Sequence, residues 1–269
     1  MKSLITFIKK IFSSKYMIKK LVIRDLTARY AGSGLGVFWS ILHPISLIAT
    51  YYFVFSFIMG ANVGPEFGDV NFTAWLVAGL LPWLFFADVV GRSNSIIIDN
   101  TNLITKTTFS SEILPFVSVI SGLINHYITL VLFILIGCIF NIINPSLNLI
   151  LLLPYSLILT IFSLGFSWLL SAINVYLRDV QQLTGIIINL WFYFSPILYP
   201  VSQVPETVAF ILKLNPIYHI VYGYRAIIFN DLSVISIGGL IYVFIVAICT
   251  FAFGGYIFKK LKRGFSDIL

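Results

Sequence analysis

NLILLLPYSLILTIFSLGFSWLLSAIN, residues 148–174, runs for 27 positions without Asp, Glu, Lys, Arg or His. About 20 apolar helical residues cross the ~30 Å hydrocarbon core of a bilayer, so this stretch alone reads as a transmembrane helix. Working outward, comparable runs occupy 115–140 and 181–200 on either side, then 72–91, 35–60 and 234–258. No gap between them is long enough for a soluble domain. The whole chain agrees: of 269 residues 59% are hydrophobic and 10% charged, where soluble domains carry about 25% charged residues. Its mean hydropathy is +1.00. Only lipid can cover so much apolar surface. The expected fold is all-α: one polytopic membrane domain, 1–269, with six transmembrane helices.

Charges between the runs set the orientation. Lys2, Lys9, Lys10, Lys15, Lys19, Lys20, Arg24 and Arg29 precede the first run. Arg92, Lys106 and Arg178 lie in the second and fourth connections, and Lys259, Lys260, Lys262 and Arg263 follow the last run. These fall on one side of an alternating six-span chain; Lys213 and Arg225 fall on the other. The positive-inside rule places the richer side, with both termini, in the cytoplasm. The net charge of +7 therefore reads as a topology signal, and no nucleic-acid partner is expected.

Two segments depart from plain spans. Residues 1–34 carry eight basic residues and lack a signal-peptide apolar core. Leu4, Phe7, Ile8, Ile11 and Phe12, then Ile18, Leu21, Val22, Leu26 and Tyr30, recur at helical spacing, which suits an amphipathic interfacial helix among membrane lipids. Gly32, Gly34 and Gly36 then break the helix. At the other end of the chain, Pro196, Pro200, Pro205 and Pro216 interrupt the fifth run and its sequel. Residues 201–232 are expected to form short helices re-entering the outer leaflet.

Much chemistry is missing. No GxxxxGK[ST] loop is present, so the chain is not expected to hydrolyse ATP by that route. Cys138 and Cys249 and the three histidines form no metal-ligand pattern. Mid-membrane carboxylates for proton coupling are lacking, which disfavours an ion-driven flippase. Without an acid/base cluster at one face, a membrane-embedded enzyme of glycan assembly is disfavoured too. Asp88 precedes Arg92 by four residues, so the two can pair on one helical face. Aromatic residues abound, with 25 Phe, 14 Tyr and 5 Trp. Trp39, Tyr51, Tyr52, Trp168, Trp191 and Tyr193 are candidates to line a pathway for a glycan, whose rings stack on aromatic faces. In the second cytoplasmic loop, Ile96, Ile97, Asn100, Leu103 and Ile104 form an apolar stripe on a short helix, a shape that fits a partner's groove.

Arg24-Asp25-Leu26, Arg29-Tyr30, Ser33-Gly34-Leu35-Gly36, Trp39 and Pro44; Asn102-Leu103-Ile104, Lys106, Phe109 and Glu112-Ile113-Leu114-Pro115; Asn174-Val175-Tyr176 with Arg178-Asp179-Val180; Trp191, Ser195-Pro196 and Tyr199; and Asn215-Pro216 with Tyr224-Arg225 occur in this order. Together they resemble the polysaccharide-exporting branch of the type 2 ABC transporter permeases. Ser110 departs from the family, where proline commonly follows the aromatic residue.

The resemblance implies a homodimeric permease in the bacterial inner membrane, working with two copies of an ABC ATP-binding subunit that holds ATP and Mg. The substrate implied is an undecaprenyl-diphosphate-linked polysaccharide, O-antigen first, with capsule, teichoic acid, a drug or a lipid as alternatives. It implies a cytoplasmic coupling helix seated on the ATPase, with Asn100, Leu103, Ile104, Lys106, Phe109 and Glu112 as coupling residues. It also implies lipid-diphosphate contacts at Arg24 and Arg29. No cofactor is expected in the chain itself.

Overall fold

The computed structural model describes residues 15–29, 32–60, 70–105 and 109–269. Residues 1–14, Tyr30, most of the first connection and the coupling candidate Lys106 lie outside the described residues. The described residues form helices and connections without strands. Helix α1 spans Lys15–Ala28, α2 Trp39–Tyr51, α3 Phe72–Ser93, α4 Thr101–Thr105, α5 Ile113–Ile139 and α6 Leu152–Tyr176. They are followed by α7 Val180–Tyr193, α8 Glu206–Lys213, α9 Pro216–Ile228, α10 Ile237–Leu261 and α11 Phe265–Ile268.

Five helical stretches are long and apolar enough to cross a membrane: Trp39–Ile58, Phe72–Ser93, Ile113–Ile139, Leu147–Tyr176 and Ile237–Ile268. The fifth expected span, 181–200, is not one helix. Its helix α7 has 14 residues, about 21 Å at 1.5 Å per residue, and ends at Tyr193. Pro196 and Pro200 then remove backbone donors and hold an irregular stretch up to α8. The first span is also irregular. Beyond Tyr51 it widens into a seven-residue π-helix, Tyr52–Ile58. Gly32 and Gly36 take φ +80° and +50°, a left-handed conformation that glycine tolerates, and turn the chain from α1 into α2.

Helix α3 is the hub. In its most apolar window 78% of residues are buried, against 6% for the first span. Asn71 caps it, the side-chain oxygen accepting from the Thr73 and Ala74 N–H groups at 2.9 and 3.3 Å. Its Phe86 meets Phe162 and Phe166 of α6 and Trp191 of α7 at 5.3–5.7 Å between ring centres. Helices α6 and α10 approach backbone to backbone: a Cβ on Gly254 would stand 2.0 Å from the Gly165 carbonyl oxygen. Small residues permit such approach in membrane bundles.

Polar groups tie the basic end of the bundle. Ser93 donates to Ser167 at 2.8 Å, Asn174 to the Asn94 carbonyl at 2.9 Å, and Thr184 to the Asn94 side chain at 3.2 Å. They join α3, α6 and α7 where each bond replaces one to water. The apolar stripe of α1 is covered by protein: Leu21 and Val22 pack on Ile113 and Val117 of α5, with Ile18 and Leu26 alongside.

Candidate functional site

A crevice of about 500 Å³ opens between α2, α3, α5 and the end of α1. It runs along α3 from Arg92 and Asp88 to Val77, roughly 22 Å of helix. Leu47, Ile48, Leu81 and Leu84 line its length, and Ser40, His43, Asn125, His126 and Thr129 add polar groups. The result is an amphipathic crevice, charged at the basic end and mostly apolar beyond it.

Its charged end is a four-residue network. Arg92 grips Asp88 with a fork, Nε to Oδ1 at 2.9 Å and Nη2 to Oδ2 at 3.0 Å, as the i,i+4 spacing allowed. Arg92 Nη1 also donates to Asp25 Oδ2 at 3.1 Å. Arg29 donates from Nη1 to Asp88 Oδ2 at 3.4 Å and sits 3.7 Å from Asp25 Oδ2. The Ser121 hydroxyl donates to Asp25. Two arginines and two aspartates thus balance, and the network joins α1 to α3 and α5.

The two residues expected to meet a lipid diphosphate separate here. Arg29 lines the crevice. Arg24 points elsewhere and donates to Asn100 Oδ1 at 2.8 Å, linking α1 to the loop between α3 and α5. That loop is less helical than its stripe suggested. A turn at 94–97 and a 3-10 turn, Ile98–Asn100, precede the five residues of α4. Ile97 is fully buried, and Ile96, Ile104 and Phe109 pack against the bundle core. Leu103 is half-buried. Glu112 is 2% exposed: its carboxylate accepts from Lys262 Nζ beyond the end of α10, and its carbonyl accepts from Trp168 Nε1 at 3.2 Å. Its side chain faces the protein interior.

The aromatic candidates do not share one surface. Trp39 lines the crevice at 42% exposure, and Tyr52 and Tyr193 are 51% and 65% exposed. Tyr51 is half-buried beside Phe55. Trp168 is fully buried, edging a separate apolar cavity with Phe116, Tyr127 and Phe251. Trp191 stands in the aromatic cluster of α3 and α6 and donates to Asn215 Oδ1 at 3.0 Å.

Three features escaped the sequence reading. Asp25 belongs to the charged network; its four-residue spacing from Arg29 was the available signal. Lys262 meets Glu112 across 150 positions, which no local pattern reveals. Arg225, read as a loop charge, is 0% exposed. It donates to the carbonyls of Trp75, Pro196 and Ile197 at 3.0, 2.7 and 2.8 Å, its guanidinium 3.4 Å from the Trp75 ring centre. Beside it, His126 and Tyr224 hydrogen-bond at 2.9 Å and join α5 to α9.

The ABC-2 type transporter family matches residues 16–229. The O-antigen export system permease protein RfbA of Myxococcus xanthus is 32% identical over 84% of this chain and 85% of its own. A Klebsiella pneumoniae protein of the same name is 30% identical over 97% and 99%. The polysialic acid transport protein KpsM of Escherichia coli is 25% identical over 77% and 79%.

Proposed function

The chain belongs to the ABC-2 type transporter family, and from that premise we propose that it is the membrane-spanning permease of an ATP-driven exporter of lipid-linked polysaccharide. One observation carries the reading: near full-length similarity to O-antigen export permeases at 30–32% identity. An undecaprenyl-diphosphate-linked O-antigen chain is the substrate proposed. The crevice supports this choice, since its charged mouth and apolar depth suit a phosphorylated lipid.

In this reading the chain sits in the bacterial inner membrane, and the basic end faces the cytoplasm with both termini. Burial of Arg225 supports that orientation, because it leaves Lys213 as the exposed basic residue of the opposite side among the described residues. Helix α7 with the irregular stretch after it completes a sixth crossing, and α8 and α9 re-enter the outer leaflet. Helix α1, the described part of the amino-terminal segment, lies in the interface, and residues 201–232 form the outer gate.

Two copies of the chain enclose the pathway. Trp39, Tyr52 and Tyr193, exposed in one copy, would face it. Two ATP-binding subunits supply ATP and Mg chemistry and seat on the α4 loop, with Leu103 at the contact. The Arg24–Asn100 hydrogen bond would pass motion of that loop to α1. Depleting the protein tests the function. Accumulation of a lipid-linked glycan on the cytoplasmic side is expected, and its absence would remove the proposal.

A further inference from the structure

We propose that Arg29 and Arg92 together form the seat for the phosphate groups of the lipid carrier, and that Asp88 and Asp25 occupy that seat until the carrier displaces them. This rests on the lipid-linked substrate proposed above. The two guanidinium groups come from different helices yet converge on one oxygen, Asp88 Oδ2, at 3.4 and 3.0 Å. Convergence of two guanidinium groups on one acceptor is the geometry that a phosphate or diphosphate takes. The pair stands at the charged mouth of a crevice whose inner walls are mostly apolar, with the polar His126 and Thr129 among them, so an anionic headgroup with a long hydrocarbon tail can enter mouth-first. Asn125 and His43 line the same space and offer hydrogen bonds to phosphate oxygens or to the first sugar.

As it stands the network is neutral. A diphosphate could not join it without bringing its anionic charge against two carboxylates. One of two things must give: the carboxylates turn away, or α1, which carries Asp25 and Arg29, moves off α3 and α5. Asp25 ties α1 to α3 through Arg92 and to α5 through Ser121, and Arg29, one turn on, ties it to Asp88 of α3; all but the Ser121 bond run through the seat. Occupying the seat therefore loosens α1. Through the Arg24–Asn100 bond, that release reaches the α4 loop and reports the substrate to the ATPase side. The carboxylates also keep the empty seat from retaining stray anions and headgroups of other lipids.

The test uses the complete transporter, permease with its ATP-binding partner, in nanodiscs. Binding of radiolabelled undecaprenyl diphosphate and of radiolabelled inorganic pyrophosphate is measured for wild type, Asp88→Asn, Asp25→Asn and Arg92→Lys. Spin labels at Ile23 and Ile124, both exposed, report the separation of α1 from α5. Asp88→Asn should bind the lipid roughly tenfold tighter or more, the least expected from removing one formal charge within ~5 Å at a part-buried site. Arg92→Lys, which keeps the charge but loses the fork, should bind it weaker. The label separation should lengthen on adding the lipid to wild type. Binding by Asp88→Asn that is unchanged or weaker for both the lipid and pyrophosphate would overturn the seat. If that variant does not fold, Asp25→Asn replaces it. A label distance that stays constant at saturating lipid would overturn the release of α1. A gain for pyrophosphate in Asp88→Asn, with no lipid retained by any form, would keep the anion seat and remove the lipid-linked substrate.

Discussion

Replacing Arg225 with alanine should destabilise the permease more than any other single change outside the α6–α10 contact. Arg225 makes three hydrogen bonds to backbone carbonyls, those of Trp75, Pro196 and Ile197, and stacks on Trp75. Alanine would leave three buried carbonyls without these donors, at about 1–3 kcal/mol each. The lost stack adds about 1–2 kcal/mol, and the emptied volume adds to that. The desolvation of the guanidinium is relieved, so the low end is the safer figure: about 4 kcal/mol. For a chain of this size that corresponds to roughly 10 °C in Tm.

Thermal unfolding of the purified protein in mild detergent, followed by tryptophan fluorescence, measures it. Arg225→Lys should recover less than half, because an ammonium keeps the charge but cannot fork to three carbonyls. Gly79→Ala should shift Tm in the same direction by less, since its Cβ would lie 2.5 Å from Arg225 Nη2. A Tm for Arg225→Ala within about 2 °C of wild type would refute the reasoning, because the three carbonyls would then have found other partners.

Other outcomes follow from the same structure. Lys262→Glu should destabilise strongly, as it sets two carboxylates at a site where Glu112 is buried; adding Glu112→Lys should restore part of the loss in a double-mutant cycle. Gly254→Val should prevent assembly of α6 on α10, since backbone atoms of Gly165 cannot yield as a side chain can. Gly91→Ala, where nothing lies within 4 Å, should leave expression and Tm unchanged. Leu103→Asp should leave insertion intact and uncouple ATP hydrolysis from export, so that ATP is still hydrolysed while export falls. Ile104→Asp is the poorer probe because Ile104 packs on the core; normal export in Leu103→Asp would remove the coupling assignment.

What the sequence could show depended on how local each signal was. The uncharged run at 148–174 settled the membrane class because hydropathy is additive over neighbours. Asp88 and Arg92 could be paired from the i,i+4 period alone. The amphipathic stripe of α1 was visible, but not its partner: periodicity marks an apolar face without saying whether lipid or α5 covers it. The break in the fifth span was legible in Pro196 and Pro200, but that the helix already ends at Tyr193 was not, because apolar composition continues past it. Arg225 was counted as a loop charge because nothing near it in sequence supplies its acceptors, which come from positions 75, 196 and 197. Trp168 and Trp191 were abundant aromatic side chains in sequence, and only packing separates them from the exposed Trp39, Tyr52 and Tyr193.

The central claim is that this permease moves a lipid-linked glycan across the membrane at the expense of ATP. It is tested most directly by co-reconstituting the chain with its ATP-binding partner in vesicles loaded with the lipid-linked polymer. Access of a membrane-impermeant glycan-cleaving enzyme to the polymer is then followed with time. Polymer starting on the ATPase side should become protected from the added enzyme when ATP and Mg are supplied, and should stay accessible with Arg92→Gln or with a partner unable to hydrolyse ATP. Polymer that stays accessible with the wild-type pair, while ATP is hydrolysed, would contradict the claim.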